Sequence, residues 1–171
     1  MFMSVVFAVL LCLGLIGADQ LIKLLVIEHL KPVQYVDFIE DVLRFRYVEN
    51  TGAIFGSFST HTALLTFFSI ILLVVTIFFL VKNKNQNKLV KFCLLFMISG
   101  GIGNIIDRIR LHYVVDYIEP LFVDFAVFNF ADCLITVGAF LLIFYLIFDL
   151  VKDSKKNKNA VTEGTKNDSG E

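Results

Sequence analysis

Cysteine is scarce in this 171-residue chain, occurring at Cys12, Cys93 and Cys133. All three lie inside apolar runs, and an odd number without metal-ligand spacing excludes both a disulfide framework and a zinc site. They read as packing residues. Histidine is no more helpful: His29, His61 and His112 stand alone, and neither H-E-x-x-H nor G-x-S-x-G occurs. Metallohydrolase and serine hydrolase chemistry therefore lack support. Charge of either sign is sparse as well, with a net value of -1, and the basic residues lack the aromatic interleaving of a nucleic-acid surface. Nucleic acid is excluded as a partner. Proline is limited to Pro32 and Pro120, both outside the apolar runs. The start of the chain has no basic leader region and its apolar run continues past Cys12, so it reads as a first membrane helix rather than a cleaved leader or lipidation site.

What is present in quantity is apolar surface. The chain is 57% apolar with nineteen Phe, and its mean hydropathy is +0.79, against an apolar share of about 45 to 50% in soluble domains. Four stretches approach the roughly 20 apolar residues that cross a ~30 Å hydrocarbon core: about 2–27, 60–81, 89–107 and 130–150. The expected architecture is an all-α membrane protein, one four-helix domain over 1–152, with a disordered cytoplasmic tail at 153–171. That tail is polar and too poor in large apolar residues to order itself. The second link, "KNKNQNKLVK", has four Lys and no acid, which places it in the cytoplasm. Both termini then share that side. The external segment at about 33–58 holds "LRFRYV", whose period-two alternation predicts a half-buried strand. "VQYVDFI" is its expected hairpin partner across Glu40 and Asp41, making a small extracytoplasmic β cradle.

Polar residues then gather at one level. Helix three has fifteen residues between Lys91 and Asp107, about 22 Å of helix, so Asn104 and Asp107 fall at or within the membrane. By the same arithmetic Asp132 and Asn129 are drawn toward lipid at the head of helix four. Asp19 and Lys23, at i and i+4, suit an intrahelical ion pair near the outer end of helix one. Asp107 and Arg108 read as a structural pair. Snorkelling or interfacial residence explains any one of these groups. It explains the set less well, because a charge inside the bilayer costs at least ~2.5 kcal/mol and is usually retained for function.

Asn104-x-x-Asp107 and Asn129-x-x-Asp132 share a spacing that puts both members on one helical face. Gly100, Gly101 and Gly103 suit close helix packing, with direct substrate contact as the lesser alternative. The chemistry left is carboxylate chemistry: two close Asp side chains share a proton, one taking a proton from water while the other donates one. Asp132 is the membrane-embedded member. Its partner is open among Asp107, Asp116 and Asp124. A proton- or ion-coupled transporter, with charges along a path through the membrane, is the competing class; a structural adaptor would need none of these Asp.

"ADQLIKL", "ENTGAIFG", "SGGIGNIIDR", "VVDYI" and "FNFADC" follow one another over residues 19–132. They resemble, in order, the D-Q-x-x-K, N-T-G-A-A-F, G-N-x-x-D-R, V-V-D-F-I and F-N-x-A-D motifs of bacterial lipoprotein signal peptidases, the signal peptidase II family of intramembrane aspartic proteases. The resemblance implies a catalytic dyad of Asp116 and Asp132, with Asp19, Lys23, Asn50, Gly52, Asn104, Asp107, Arg108 and Asn129 supporting the site or binding substrate. Asp124 becomes a decoy. The chain departs from the family at Ile54, Gly56, Ser99 and Gly101. The implied reaction is cleavage of membrane-bound prolipoproteins just before a diacylglyceryl-modified Cys, near the outer face of the bacterial cell membrane. No metal or organic cofactor is implied, and the partners are the lipidated precursors and membrane lipids, met by a monomeric enzyme.

Overall fold

The computed structural model describes residues 5–52, 62–82 and 87–168. Helix α1, Val5–Leu25, passes directly into a π-helical turn, Val26–Leu30. Strands β1, Tyr35–Ile39, and β2, Leu43–Asn50, follow. Then come α2, Thr62–Lys82, and α3, Lys88–Leu111. Strand β3, Val114–Pro120, precedes α4, Phe130–Asp168. Among the described residues three helices are long and apolar enough to cross a membrane, Val5–Leu30, Lys88–Leu111 and Phe130–Lys152. In α2 the apolar stretch is the shorter Thr66–Lys82.

Helix α3 is the central post, packed against α1, α2 and α4. Its buried face carries Cys93, Leu94, Leu95 and Ile98, so Cys93 packs as expected. The approach to α4 is close: a Cβ on Gly100 would run into the backbone carbonyl of Ala131 and within 2.9 Å of Ile135. Most apolar side chains of α1, α2 and α4 face outward, as in Leu10, Phe78 and Phe144. In a bilayer that is burial in hydrocarbon, where backbone groups must be satisfied within the helix.

The sheet order is β1-β2-β3, antiparallel throughout. The β1–β2 hairpin is the one the alternation predicts, with Asp37 opposite Arg44 and their side chains 2.6 Å apart. Its third strand, β3, is an addition. Val114, Val115, Asp116 and Tyr117 are buried in succession, so the strand lacks the alternation that marks a half-exposed one. The register of β2 with β3 slips between Phe45 and Val48, leaving Arg46 and Tyr47 opposite Tyr117 alone. Such a bulge bends the strand and re-aims side chains, here beside Asp116. Leu30, Tyr47, Val115 and Tyr117 form the small core beneath the sheet.

The disordered tail expected from 153 is not confirmed: α4 continues to Asp168. Once a helix is nucleated, each added residue gains a hydrogen bond, and the segment contains no proline. Residues 169–171 lie outside the described residues, as do 53–58 of the external segment.

Candidate active site

The site assembles where β3 meets the start of α4. Phe128 bridges back to β3, donating to the Ile118 carbonyl at 3.0 Å and accepting from the Ile118 and Tyr117 N–H groups at 2.8 and 3.0 Å. This contact delivers Asn129 and the head of α4 to the flank of Asp116. A helix begins with N–H groups that have no partner inside it, and side chains from three directions take them here. Phe130 N–H donates to the Tyr117 hydroxyl at 3.2 Å, Ala131 N–H to Asp19 Oδ1 at 3.1 Å, and Asp132 N–H to Asn129 Oδ1 at 3.0 Å. Asp132 Oδ2 accepts in return from Asn129 N–H at 3.2 Å. The N-cap and N3 residues thus form a reciprocal capping box. Asn129 and Asp132 therefore do not share a helical face in the simple sense of their spacing; one caps the helix that carries the other.

The two carboxyl groups are joined through asparagines. Asp116 Oδ1 accepts from Asn129 Nδ2 at 2.6 Å and its Oδ2 from Asn50 Nδ2 at 2.7 Å. Asp132 Oδ1 accepts from Asn104 Nδ2 at 2.7 Å, while Asn104 Oδ1 accepts from Asn129 Nδ2 at 3.2 Å. Asn50 is aimed by an Asx turn in which its Oδ1 accepts from Gly52 N–H at 2.8 Å. Gly52 sits at φ 87°, a left-handed conformation glycine adopts freely and other residues rarely do. The remainder of that motif, Ala53 to Gly56 with the departures Ile54 and Gly56, lies outside the described residues.

Beneath this bridge lies a buried ionic cluster. Lys23 Nζ reaches Asp19 Oδ2 at 3.0 Å, Asp107 Oδ2 at 2.8 Å and Asn104 Oδ1 at 3.0 Å, using all three ammonium donors. The i, i+4 pair is present, but Asp107 and Arg108 are not partners. Adjacent helical residues point apart, and Asp107 instead takes Lys23, the Val115 N–H at 3.2 Å and the Gln20 amide at 3.0 Å. Arg108 is half-buried, with its largest charge interactions toward Asp132 and then Asp116. Gln20 also bonds Asp19 at 3.1 Å and the Gly103 carbonyl at 3.2 Å. Gln20 and Tyr117 also belong to this polar network, and in the sequence they adjoin Asp19 and Asp116. Asp124 lies on the exposed loop before Phe128.

Asp116 is 1% exposed. Burial pushes its pKa from 3.8 up to about 6, helped by the negative charge of Asp132 and opposed by Asn50, Asn129 and Lys23. A cavity of about 60 Å³ opens beside Asn104 between α2, α3 and α4, with Ser69 and Thr76 on its wall. It has room and polar partners for water. Among the described residues no group of three or more His, Cys, Asp or Glu is placed to hold a metal ion.

A family model described as signal peptidase (SPase) II matches residues 11–148. The chain is 39% identical over 134 residues to a lipoprotein signal peptidase of Streptococcus thermophilus, covering 78% of this chain and 88% of that protein. It is 38% identical over 142 residues to the one from Clostridium tetani, covering 81% and 90%. A solved structure described as a bacterial membrane enzyme, determined by the in meso method at 2.3 Å resolution, superposes with a TM-score of 0.77 at 26% identity. That match covers 87% of this chain and 92% of the other.

Proposed function

The chain belongs to the signal peptidase II family, whose members are multi-pass membrane peptidases of prolipoproteins, and from that premise we propose that it is an aspartic endopeptidase whose catalytic dyad is Asp116 and Asp132. It cleaves the signal peptide from a membrane-bound prolipoprotein, just before the diacylglyceryl-modified Cys. The observation that carries this reading is Asn129, which bonds both carboxyl groups at once, Asp116 at 2.6 Å and Asp132 at 3.2 Å. Two carboxyl groups held by one residue in a partly dry site cannot both ionise cheaply, so they retain a proton between them. One then draws a proton from water as it attacks the scissile carbonyl, and the other donates to the carbonyl oxygen.

Helix α2 serves as the fourth span, with both termini in the cytoplasm and the dyad near the outer face. Acyl chains of the substrate stay in the surrounding lipid, and one chain suffices for catalysis. The transporter reading is disfavoured because Asp19, Lys23, Asn104 and Asp107 close on one another in a single cluster rather than marking a path. Purified Asp116→Asn and Asp132→Asn enzymes, incubated with a diacylglyceryl-modified precursor, are expected to be inactive while Asp124→Asn cleaves normally. Cleavage by either dyad variant at the normal rate sinks the proposal, and loss of activity in Asp124→Asn would indict the choice of partner.

A further inference from the structure

The dyad reading leaves open which Asp holds the proton, and the surroundings of the two are not alike. Asp116 lies on β3, 1% exposed, and its donors are the side-chain amides of Asn50 and Asn129. Among the described residues neither amide is bonded to a cation in turn. Asp132 is half-buried at the third residue of α4, where the dipole of the helix favours negative charge. One of its donors is the backbone N–H of Asn129. The other, Asn104 Nδ2, belongs to an amide whose oxygen accepts from the Lys23 ammonium at 3.0 Å. Hydrogen bonds in series polarise one another in a low-dielectric interior, so Asn104 passes part of that positive charge to Asp132. Arg108, on the same helix as Asn104, is drawn more strongly to Asp132 than to Asp116.

We propose that the pair's proton sits on Asp116 and that Asp132 is the carboxylate that takes the proton from the attacking water, with Asn104 as the positioning residue that carries the charge of Lys23 to it. This assignment rests on the dyad reading above. Water oxygen bonds to the scissile carbonyl carbon, its proton passing to Asp132 while Asp116 gives its proton to the carbonyl oxygen. As the C–N bond breaks, Asp132 hands its proton to the departing amine of the lipidated Cys. Asp116 recovers a proton from the hydroxyl that becomes part of the new carboxyl group. Both side chains return to their starting states. The upward push that burial gives Asp116 agrees with this.

Among the described residues the charged and titratable groups around the pair are Asp19 and Lys23 on α1, Asp107 and Arg108 on α3, Tyr117 on β3 and Cys133 on α4. Glu49 on β2 is engaged by Lys31 at 2.9 Å. The test is the pH profile of kcat/KM on a diacylglyceryl-modified precursor, whose acid limb reports the water-activating carboxylate and whose basic limb reports loss of the held proton. Asn50→Leu removes a donor to Asp116 and is expected to move the basic limb up by about one pH unit, leaving the acid limb in place. Asn104→Asp keeps the oxygen that Lys23 and Asn129 address but turns the donor to Asp132 into an acceptor; the acid limb should rise by about one unit or more. An exchange of the two limbs, movement of both limbs in either variant, or movement of neither overturns the assignment while the dyad stands. Normal cleavage by Asp116→Asn or Asp132→Asn overturns the dyad itself. Should Asn104→Asp fail to fold, infrared difference spectra decide: at pH 5 the protonated-carboxyl band of the wild type is expected to lose intensity in Asp116→Asn and keep it in Asp132→Asn. The reverse, or equal behaviour of the two, overturns the assignment.

Discussion

At the scale of single residues, the proposed active site is a place where stability is given up. Asp116 is buried among neutral donors, and its pKa stands at about 6 in the fold against 3.8 in a peptide. Because the folded value is the higher one, the folded state binds more protons between these limits. The stability linked to this group is therefore fully present below pH 3.8 and is lost as pH rises through about 6. At about 1.4 kcal/mol per pH unit the loss amounts to about 3 kcal/mol. An Asn at 116 does not ionise, so it escapes that loss, although it sets an amide against one of the two donors now facing the carboxylate. The thermal stability of Asp116→Asn relative to wild type is thus expected to improve by up to about 3 kcal/mol between pH 4 and pH 8. Melting curves in detergent across that range check it. A gap that does not change with pH would mean that Asp116 ionises in the fold as it does in water.

At the scale of elements, the head of α4 is where the proposed dyad and the architecture meet. Its first three N–H groups are taken by Tyr117, Asp19 and Asn129, from β3, α1 and the preceding loop. Losing one cap costs about 1 kcal/mol, so Tyr117→Phe, which keeps the buried ring and removes the hydroxyl, should destabilise the protein by about that amount. It should also lower kcat through the slackened placement of Asp132 while leaving KM little changed. Equal stability of variant and wild type by chemical denaturation would deny the cap its role. Much of this region was legible in the sequence and some was not, for a physical reason in each case. The hairpin was readable because Leu43, Phe45 and Tyr47 alternate with polar neighbours. Strand β3 was not, since Val114 to Tyr117 are buried without alternation and pair with residues about seventy positions upstream. The i, i+4 spacing of Asp19 and Lys23 foretold their ion pair because both lie on one helix. The paired Asn-x-x-Asp motifs foretold the polar residues but not their partners. Asn104 donates to the Asp of the other motif, and Asn129 to Asp116, and spacing within one helix is silent about contacts between elements.

At the scale of the whole molecule, the polar cluster, the sheet and the lipid-facing helices must be consistent with one orientation. Lys23, Asp107 and Asp132 bring the same end of α1, α3 and α4 together, and the sheet is built at that end, with β3 entered from α3 and left toward α4. At the other end Lys82, Lys88 and Lys91 flank the link between α2 and α3, the bias that holds a loop in the cytoplasm. Strand β1 carries exposed apolar side chains, Tyr35, Val36, Phe38 and Ile39, and Phe122, Val123 and Phe125 lie exposed on the loop before α4. A soluble protein seldom shows so much apolar surface without a partner, and lipid at the outer interface would cover it. Single cysteines report which side each end occupies, in a background with Cys12, Cys93 and Cys133 replaced by Ala. With intact cells and a membrane-impermeant maleimide, Asp124→Cys on the exposed loop is expected to label readily. Lys88→Cys, at the start of α3, should label only after the membrane is permeabilised. Labelling of Lys88→Cys in intact cells, or protection of Asp124→Cys until permeabilisation, would invert the orientation and place the proposed dyad at the wrong face for an exported substrate.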